Sequence, residues 1–207
     1  KVQKIIKNEA IETTSKLEQL NQLKAELIDL DCTLKDIATN VVFSDGNHNS
    51  KIMFLGEAPG ANEDLEGKPF VGEAGKLLDK MLSFINLSRE NFYISNIVFW
   101  RPPGNRTPND KEISICLPIT KKHIKIINPK LLIFVGSIAA KSLLNSKDGI
   151  TKLRGKKHVY VDDKNGLEID ARAIFHPAYL MRNPIEKKNT WQDLIEIYEF
   201  IITNKIL

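Results

Sequence analysis

The sequence predicts an α/β fold on a mainly parallel sheet, and three observations carry that prediction. Short apolar runs recur at Lys51-Ile52-Met53-Phe54-Leu55, at FYISNIVFW (92–100), at LLIFV (131–135) and from Ala171 to Phe175. Helical apolar stripes lie between and after them, the alternation expected of a parallel sheet covered by helices. Three of the runs lead into residues with turn or site chemistry (Gly56-Glu57, Gly136-Ser137 and His176-Pro177), and the second carries Asn96 inside an otherwise apolar stretch. In a parallel sheet the carboxyl ends share one edge, which is where ligands bind in open α/β folds.

Taken in order, residues 1–30 read as helical, with Leu17, Leu20, Leu23 and Leu27 at three- to four-residue spacing. They are expected to form an N-terminal helical extension to a single domain over 31–207. Val41-Val42-Phe43 reads as a short strand and Asp45-Gly46-Asn47 as a turn. The stretch from Ile52 to Gly75, IMFLGEAPGANEDLEGKPFVGEAG, reads as strand, glycine turn, acidic loop and helix start. Leu77, Leu78, Met81, Leu82 and Ile85 continue it as a helical stripe. A polar connection, Asn86 to Asn91, leads to the second strand. Pro102, Pro103 and Pro108 make RPPGNRTP (101–108) a rigid loop. Asn109-Asp110 caps a helix toward His123 that Asn128-Pro129 ends. Residues 150–170 read as a hairpin with Lys164-Asn165-Gly166 at its tip. The last helix places Trp191, Leu194, Ile195, Tyr198 and Ile201 on one face.

The bulk numbers bound the function. A chain of 207 residues with 42% hydrophobic and 27% charged content is an ordinary globular composition that suits one domain. It has no apolar run of about 18 residues, so no transmembrane helix is expected. The first residues, KVQKIIKNEAIE, lack the apolar core of a secretory signal. Cys32 and Cys116 cannot form a disulfide framework, which points to the cytoplasm. A net charge of +4 permits phosphate contacts but equally describes a solvated lysine-rich surface.

The candidate chemistry sits at the strand ends. An Asn in a buried strand must have its amide satisfied, since an unpaired buried polar group costs about 1–3 kcal/mol. Asn96 either pairs with neighbouring backbone or offers its oxygen and NH₂ to a ligand that presents an acceptor beside a donor, such as a pyrimidine edge. The GEAPG turn (56–60) matches neither common phosphate fingerprint, so a nucleotide cofactor is poorly supported. Glu57, a carboxylate beside a buried strand end, needs a reason that a plain turn does not supply. The cluster Glu63-Asp64-Glu66 has no His or Cys nearby and reads as a solvated acidic loop rather than a metal site. After His176-Pro177, the segment Ala178 to Pro184 places apolar side chains beside Arg182 in a loop. That is either a wedge for a base stack or a loop packed on the last helix.

Together these pieces resemble the family 4 uracil-DNA glycosylases of the uracil-DNA glycosylase superfamily. The resemblance runs from about Cys32 to Trp191 and rests on five segments in order: GEAPGANED (56–64), GKPFVGEAG (67–75), SNIV around Asn96, RPPGNRTP (101–108) and HPAYLMRNP (176–184). It implies a three-layer α/β/α sandwich with a four-stranded parallel central sheet. It also implies a monofunctional glycosylase that flips uracil out of single- or double-stranded DNA and hydrolyses its N-glycosidic bond, opening base-excision repair. By the same resemblance Phe70 stacks on the flipped base, Asn96 reads its polar edge and Glu63 lies near C5. His176 hydrogen-bonds O2, and Gly56, Glu57 and the backbone at Ala58 position the base and the attacking water. Leu180 is the implied wedge, with Ser137 and Arg182 on the DNA backbone. A monomer without membrane association is expected. The alternative is a catalytically weak or inactive DNA-binding relative.

The sequence departs from this family at one place. Members carry four cysteines that hold a [4Fe–4S] cluster. Cys32 and Cys116 match two of them, whereas Asp29 and Trp100 stand at the other two positions. A stable cubane needs four such ligands, so no cluster is expected and no other cofactor is implied. The loop after Asn96 also lacks the basic His-containing insertion of the branch that bonds covalently to the abasic sugar.

Overall fold

The structure, a computed structural model, describes residues 15–162 and 166–207. In chain order it contains α1 (Lys16–Ile28), β1 (Asp45–Gly46), β2 (Ile52–Gly56), α2 (Ala61–Glu66), α3 (Glu73–Ser83), β3 (Tyr93–Asn96), α4 (Asp110–Ile127) and β4 (Leu131–Val135). Then follow α5 (Ser137–Leu144), α6 (Ile150–Leu153), β5 (His158–Asp162), β6 (Leu167–Ile174), α7 (Pro177–Arg182) and α8 (Lys187–Thr203). The strands form one six-stranded sheet in the order β1-β3-β2-β4-β6-β5. The pairs β3–β2, β2–β4 and β4–β6 are parallel, and β1 and β5 close the edges antiparallel. The expected four-stranded parallel sheet is therefore the centre of a larger mixed one.

Strand periodicity builds the layers. Side chains alternate across a strand, so Met53, Leu55, Leu132 and Phe134 enter one core with Leu20, Leu23 and Leu27 of α1, Ile119 of α4 and Ala139 of α5. Ile52, Phe54, Leu131, Ile133 and Val135 enter the other with Leu78 of α3 and Leu194, Ile197 and Ile201 of α8. The result is helices on both faces of the sheet, a three-layer α/β/α arrangement. Each buried Leu or Ile contributes about 1.5–3 kcal/mol of apolar burial. The helix starts are set locally: Ser15 and Glu18 form a capping box for α1, and Asn109 and Glu112 form one for α4.

Several expectations are corrected. Asp45-Gly46 is not a free turn but pairs with Ile94 and Tyr93 as an edge strand. Val41–Phe43 is not a strand, although the Val42 N–H donates to the Phe99 carbonyl at 2.8 Å. The acidic loop is helix α2, and its Asp64 is buried, accepting the Thr39 and Asn40 N–H groups at 2.9 and 3.1 Å. The segment after His176 is helix α7 with Pro177 in its first turn, where a missing N–H costs nothing. Trp191 and Tyr198 of α8 are exposed while Leu194, Ile197 and Ile201 are buried. The helical expectation over residues 1–14 and the hairpin tip at Lys164-Asn165 lie outside the described residues. Among the described residues no helix is long and apolar enough to cross a membrane.

Candidate active site

A cavity of about 680 Å³ opens at the carboxyl edge of the sheet, within the range of small-molecule sites. The parallel register explains why the distant motifs meet there. Gly56 pairs with Asn96, and the Gly136 N–H bonds the Ile174 carbonyl at 2.9 Å, so four strand ends lie side by side. Glu57, Ala58, Glu63, Phe70, Asn96, Ser137, His176 and Arg182 all line the cavity. Gly56 stands just behind them. A Cβ there would meet Asn96 Oδ1 and Phe70 Cζ at 2.4 Å each, so only glycine lets both side chains close over the strand end.

Asn96 is 2% exposed, and its Oδ1 has no hydrogen-bond partner. A buried amide oxygen without a partner, in a residue that lines the cavity, costs about 1–3 kcal/mol unless something satisfies it. Phe70, at 7% exposure, faces His176 with ring centroids 5.8 Å apart. The His176 Nδ1 accepts the Ala178 N–H at 3.2 Å. Nδ1 is thus an acceptor, which assigns the proton of the neutral ring to Nε2. Burial, with Arg182 nearby, lowers the His176 pKa to about 4 against a small opposing pull from Glu63, so the ring is neutral near pH 7.

Glu57 is half-buried, and burial raises its pKa above the usual glutamate value, while a hydrogen bond to the Thr107 side chain works in the other direction. Thr107 belongs to the proline-rich loop, which is fixed by Arg106. Arg106 Nη1 donates to the Thr107 carbonyl at 3.1 Å, and the guanidinium grips Glu112 at 2.8 and 2.5 Å. Glu63 Oε1 accepts the Val71 and Gly72 N–H groups at 2.9 and 2.8 Å, and Oε2 accepts the Gly60 N–H at 3.1 Å. Its carboxylate therefore staples the glycine turn to the loop carrying Phe70.

Leu180 is a correction. Expected as an exposed wedge, it is fully buried on the inner side of α7, and the exposed apolar side chain of that segment is Met181, at 47%. The helix dictates this, since Pro177 and Leu180 share its buried face. Thr107 and Arg89 carry no signal in the motifs themselves. Thr107 lies within RPPGNRTP with no role legible there, and Arg89 lies in the polar connection from Asn86 to Asn91.

The residues expected at a [4Fe–4S] site do not fit that group. Cys32 and Cys116 are buried beside each other, and burial followed by the neighbouring thiol pushes the Cys116 pKa up to about 12. Trp100 is 3% exposed and occupies core volume, and Asp29 is an exposed residue ending α1. Among the described residues no group of three or more His, Cys, Asp or Glu is placed to hold a metal ion.

The α/β/α fold thus brings an aromatic ring (Phe70), a buried amide whose oxygen has no partner (Asn96) and a neutral imidazole (His176) to one pocket. The model of the Uracil DNA glycosylase superfamily matches residues 43–195, and the chain belongs to that family. It is 39% identical to a type-4 uracil-DNA glycosylase of Sulfurisphaera tokodaii over 195 residues, covering 91% of this chain and 88% of the relative. A type-4 uracil-DNA glycosylase of Archaeoglobus fulgidus is 37% identical over 188 residues, covering 88% and 94%. One of Thermotoga maritima is 40% identical over 153 residues, covering 73% and 77%.

Proposed function

We propose that this protein removes uracil from DNA by hydrolysing its N-glycosidic bond. The observation that carries the reading is the unpartnered Asn96 Oδ1 at the wall of a pocket also lined by Phe70, His176 and Glu57. Uracil offers N3–H beside O4, which an Asn amide can pair in full. Phe70 supplies a face for the extruded ring, and extrusion costs a few kcal/mol, least for a mispaired or single-stranded base.

Bond cleavage moves an electron pair from the C1′–N1 bond onto uracil, where the charge gathers at O2, and leaves an oxocarbenium-like sugar. The His176 Nε2–H is a fixed donor for O2, the kind of preorganised dipole that stabilises developing charge. Ionised Glu57 orients the water that attacks C1′ and favours the positive sugar. Glu63, committed to three backbone N–H groups, shapes the pocket wall near C5 through the loop it holds. Ser137 and Arg182 contact the DNA backbone, and Met181 takes the wedge role. The protein acts on DNA as a cytoplasmic monomer and without an iron–sulfur cluster. Trp100 and the buried, neighbouring side chains of Cys32 and Cys116 supply packing where the family has ligands.

The test is incubation with a single-uracil oligonucleotide followed by alkali. Strand scission at the uracil is expected, and its absence at enzyme excess refutes the reading.

A further inference from the structure

Phe70 is held in an unusual way. It has φ +57°, a left-handed conformation that costs a bulky residue energy and persists only where its surroundings enforce it. Two neighbours enforce it. Gly75 of α3 lies directly against its backbone, where a Cβ would come within 1.9 Å of the Phe70 carbonyl oxygen. Arg89, 19 residues further on, donates Nη2–H to that carbonyl at 2.9 Å and Nη1–H to the Pro69 carbonyl at 3.2 Å.

The same guanidinium is anchored from behind. Its Nε and Nη2 meet both oxygens of Asp79 at 3.1 and 3.2 Å, and its Nη1 meets Asp45 at 3.1 Å. It also lies over the Phe92 ring, 5.6 Å from the centroid. The five N–H donors of an arginine thus match five acceptors. A lysine has three donors and no fork, so it cannot reproduce this set. Asp79 comes from α3, Asp45 from β1 and Phe92 from the residue just before β3, so the clamp refers Phe70 to three separate parts of the fold.

We infer that Arg89 is a positioning residue that fixes Phe70 as the stacking platform for the extruded base. The inference rests on the proposed uracil-excising role of the pocket. It also explains why an arginine that does not itself line the cavity is ringed by two carboxylates and two loop carbonyls.

A double-mutant cycle tests it. With enzyme in excess over a single-uracil oligonucleotide, Arg89→Lys is expected to slow uracil release roughly ten- to hundredfold, the cost of misplacing a group that orients the substrate. In a Phe70→Ala background, where the platform is gone, Arg89→Lys is expected to cost little more. Equal slowing in both backgrounds, or no slowing in the native one, overturns the inference.

A second readout is independent of catalysis. One Gly56 α-proton points at the Phe70 ring, so its NMR shift reports where the ring lies. Arg89→Lys is expected to move that resonance, and an unchanged shift overturns the inference. If the unsubstituted protein releases no uracil, the proposed function fails, and the Gly56 shift alone decides the role of Arg89. If Arg89→Lys does not fold, Asp79→Asn replaces it, loosening the anchor at a half-exposed carboxylate. A smaller effect in the same direction is expected, and no change in rate or shift overturns the inference.

Discussion

The Nδ1 of His176 accepts the N–H of Ala178 at 3.2 Å, a bond that closes the first turn of α7 and fixes the proton of the neutral ring on Nε2. One helix cap thus sets the tautomer on which the proposed chemistry relies. His176→Ala should lower the single-turnover rate of uracil release by about 10²–10³-fold, the usual loss on removing one charge-stabilising donor. Rapid-quench assays on a single-uracil oligonucleotide measure this directly. A rate within a factor of about two of the unsubstituted protein would remove His176 from the account.

The acid limb of activity should follow Glu57. Burial raises its pKa from the glutamate value, and the ionised form is the one the proposed chemistry uses. Ionised Glu57 is present above its pKa, and activity is lost as the pH drops through it. The Thr107 hydrogen bond lowers that pKa, so Thr107→Val should shift the acid limb to higher pH and leave the rate well above it nearly unchanged. A pH–rate profile of the two proteins checks both the direction and the plateau.

Leu180 and Met181 should separate cleanly. Leu180 is fully buried, so Leu180→Ala should destabilise the fold by about 2–5 kcal/mol through the cavity it leaves. Met181 is exposed beside Arg182. Met181→Ala should leave the melting temperature unchanged and slow release from duplex DNA more than from single strands. Thermal unfolding paired with the two substrates distinguishes the roles.

How much of this was legible in the sequence depended on where the chemistry stood out against its surroundings. Asn96 was visible because it interrupts an apolar strand, and His176 because it ends one before a proline. Helix α2 was not, because ANEDLE is six residues without an apolar stripe. Glu63 bonding back to Gly60 and Asn40 bonding from outside the helix accompany it, to the Asp64 and Leu65 carbonyls at 2.7 and 3.2 Å. Arg89 was hidden because its partners at the pocket are backbone carbonyls, which have no residue identity to read. Leu180 misled because an apolar residue beside an arginine has the same sequence pattern on either face of α7.

The chain has two cysteines, Cys32 and Cys116, and that count has a chemical consequence. Purified under anaerobic conditions, the protein should contain no stoichiometric iron and show no absorbance band near about 400 nm, since a cubane needs four thiolate-type ligands and Trp100 is none. Trp100→Cys alone should not create one, because it brings the cysteines to three and a cubane needs four such ligands. Elemental analysis and the visible spectrum give the answer.

The central claim is that the pocket framed by Phe70, Asn96 and His176 releases uracil. The most direct measurement is alkali-revealed cleavage of a single-uracil oligonucleotide by the unsubstituted protein, with Asn96→Ala alongside. Scission is expected at the uracil and nowhere else, strongly reduced by Asn96→Ala. No scission at enzyme excess, or scission undiminished by Asn96→Ala, would contradict it.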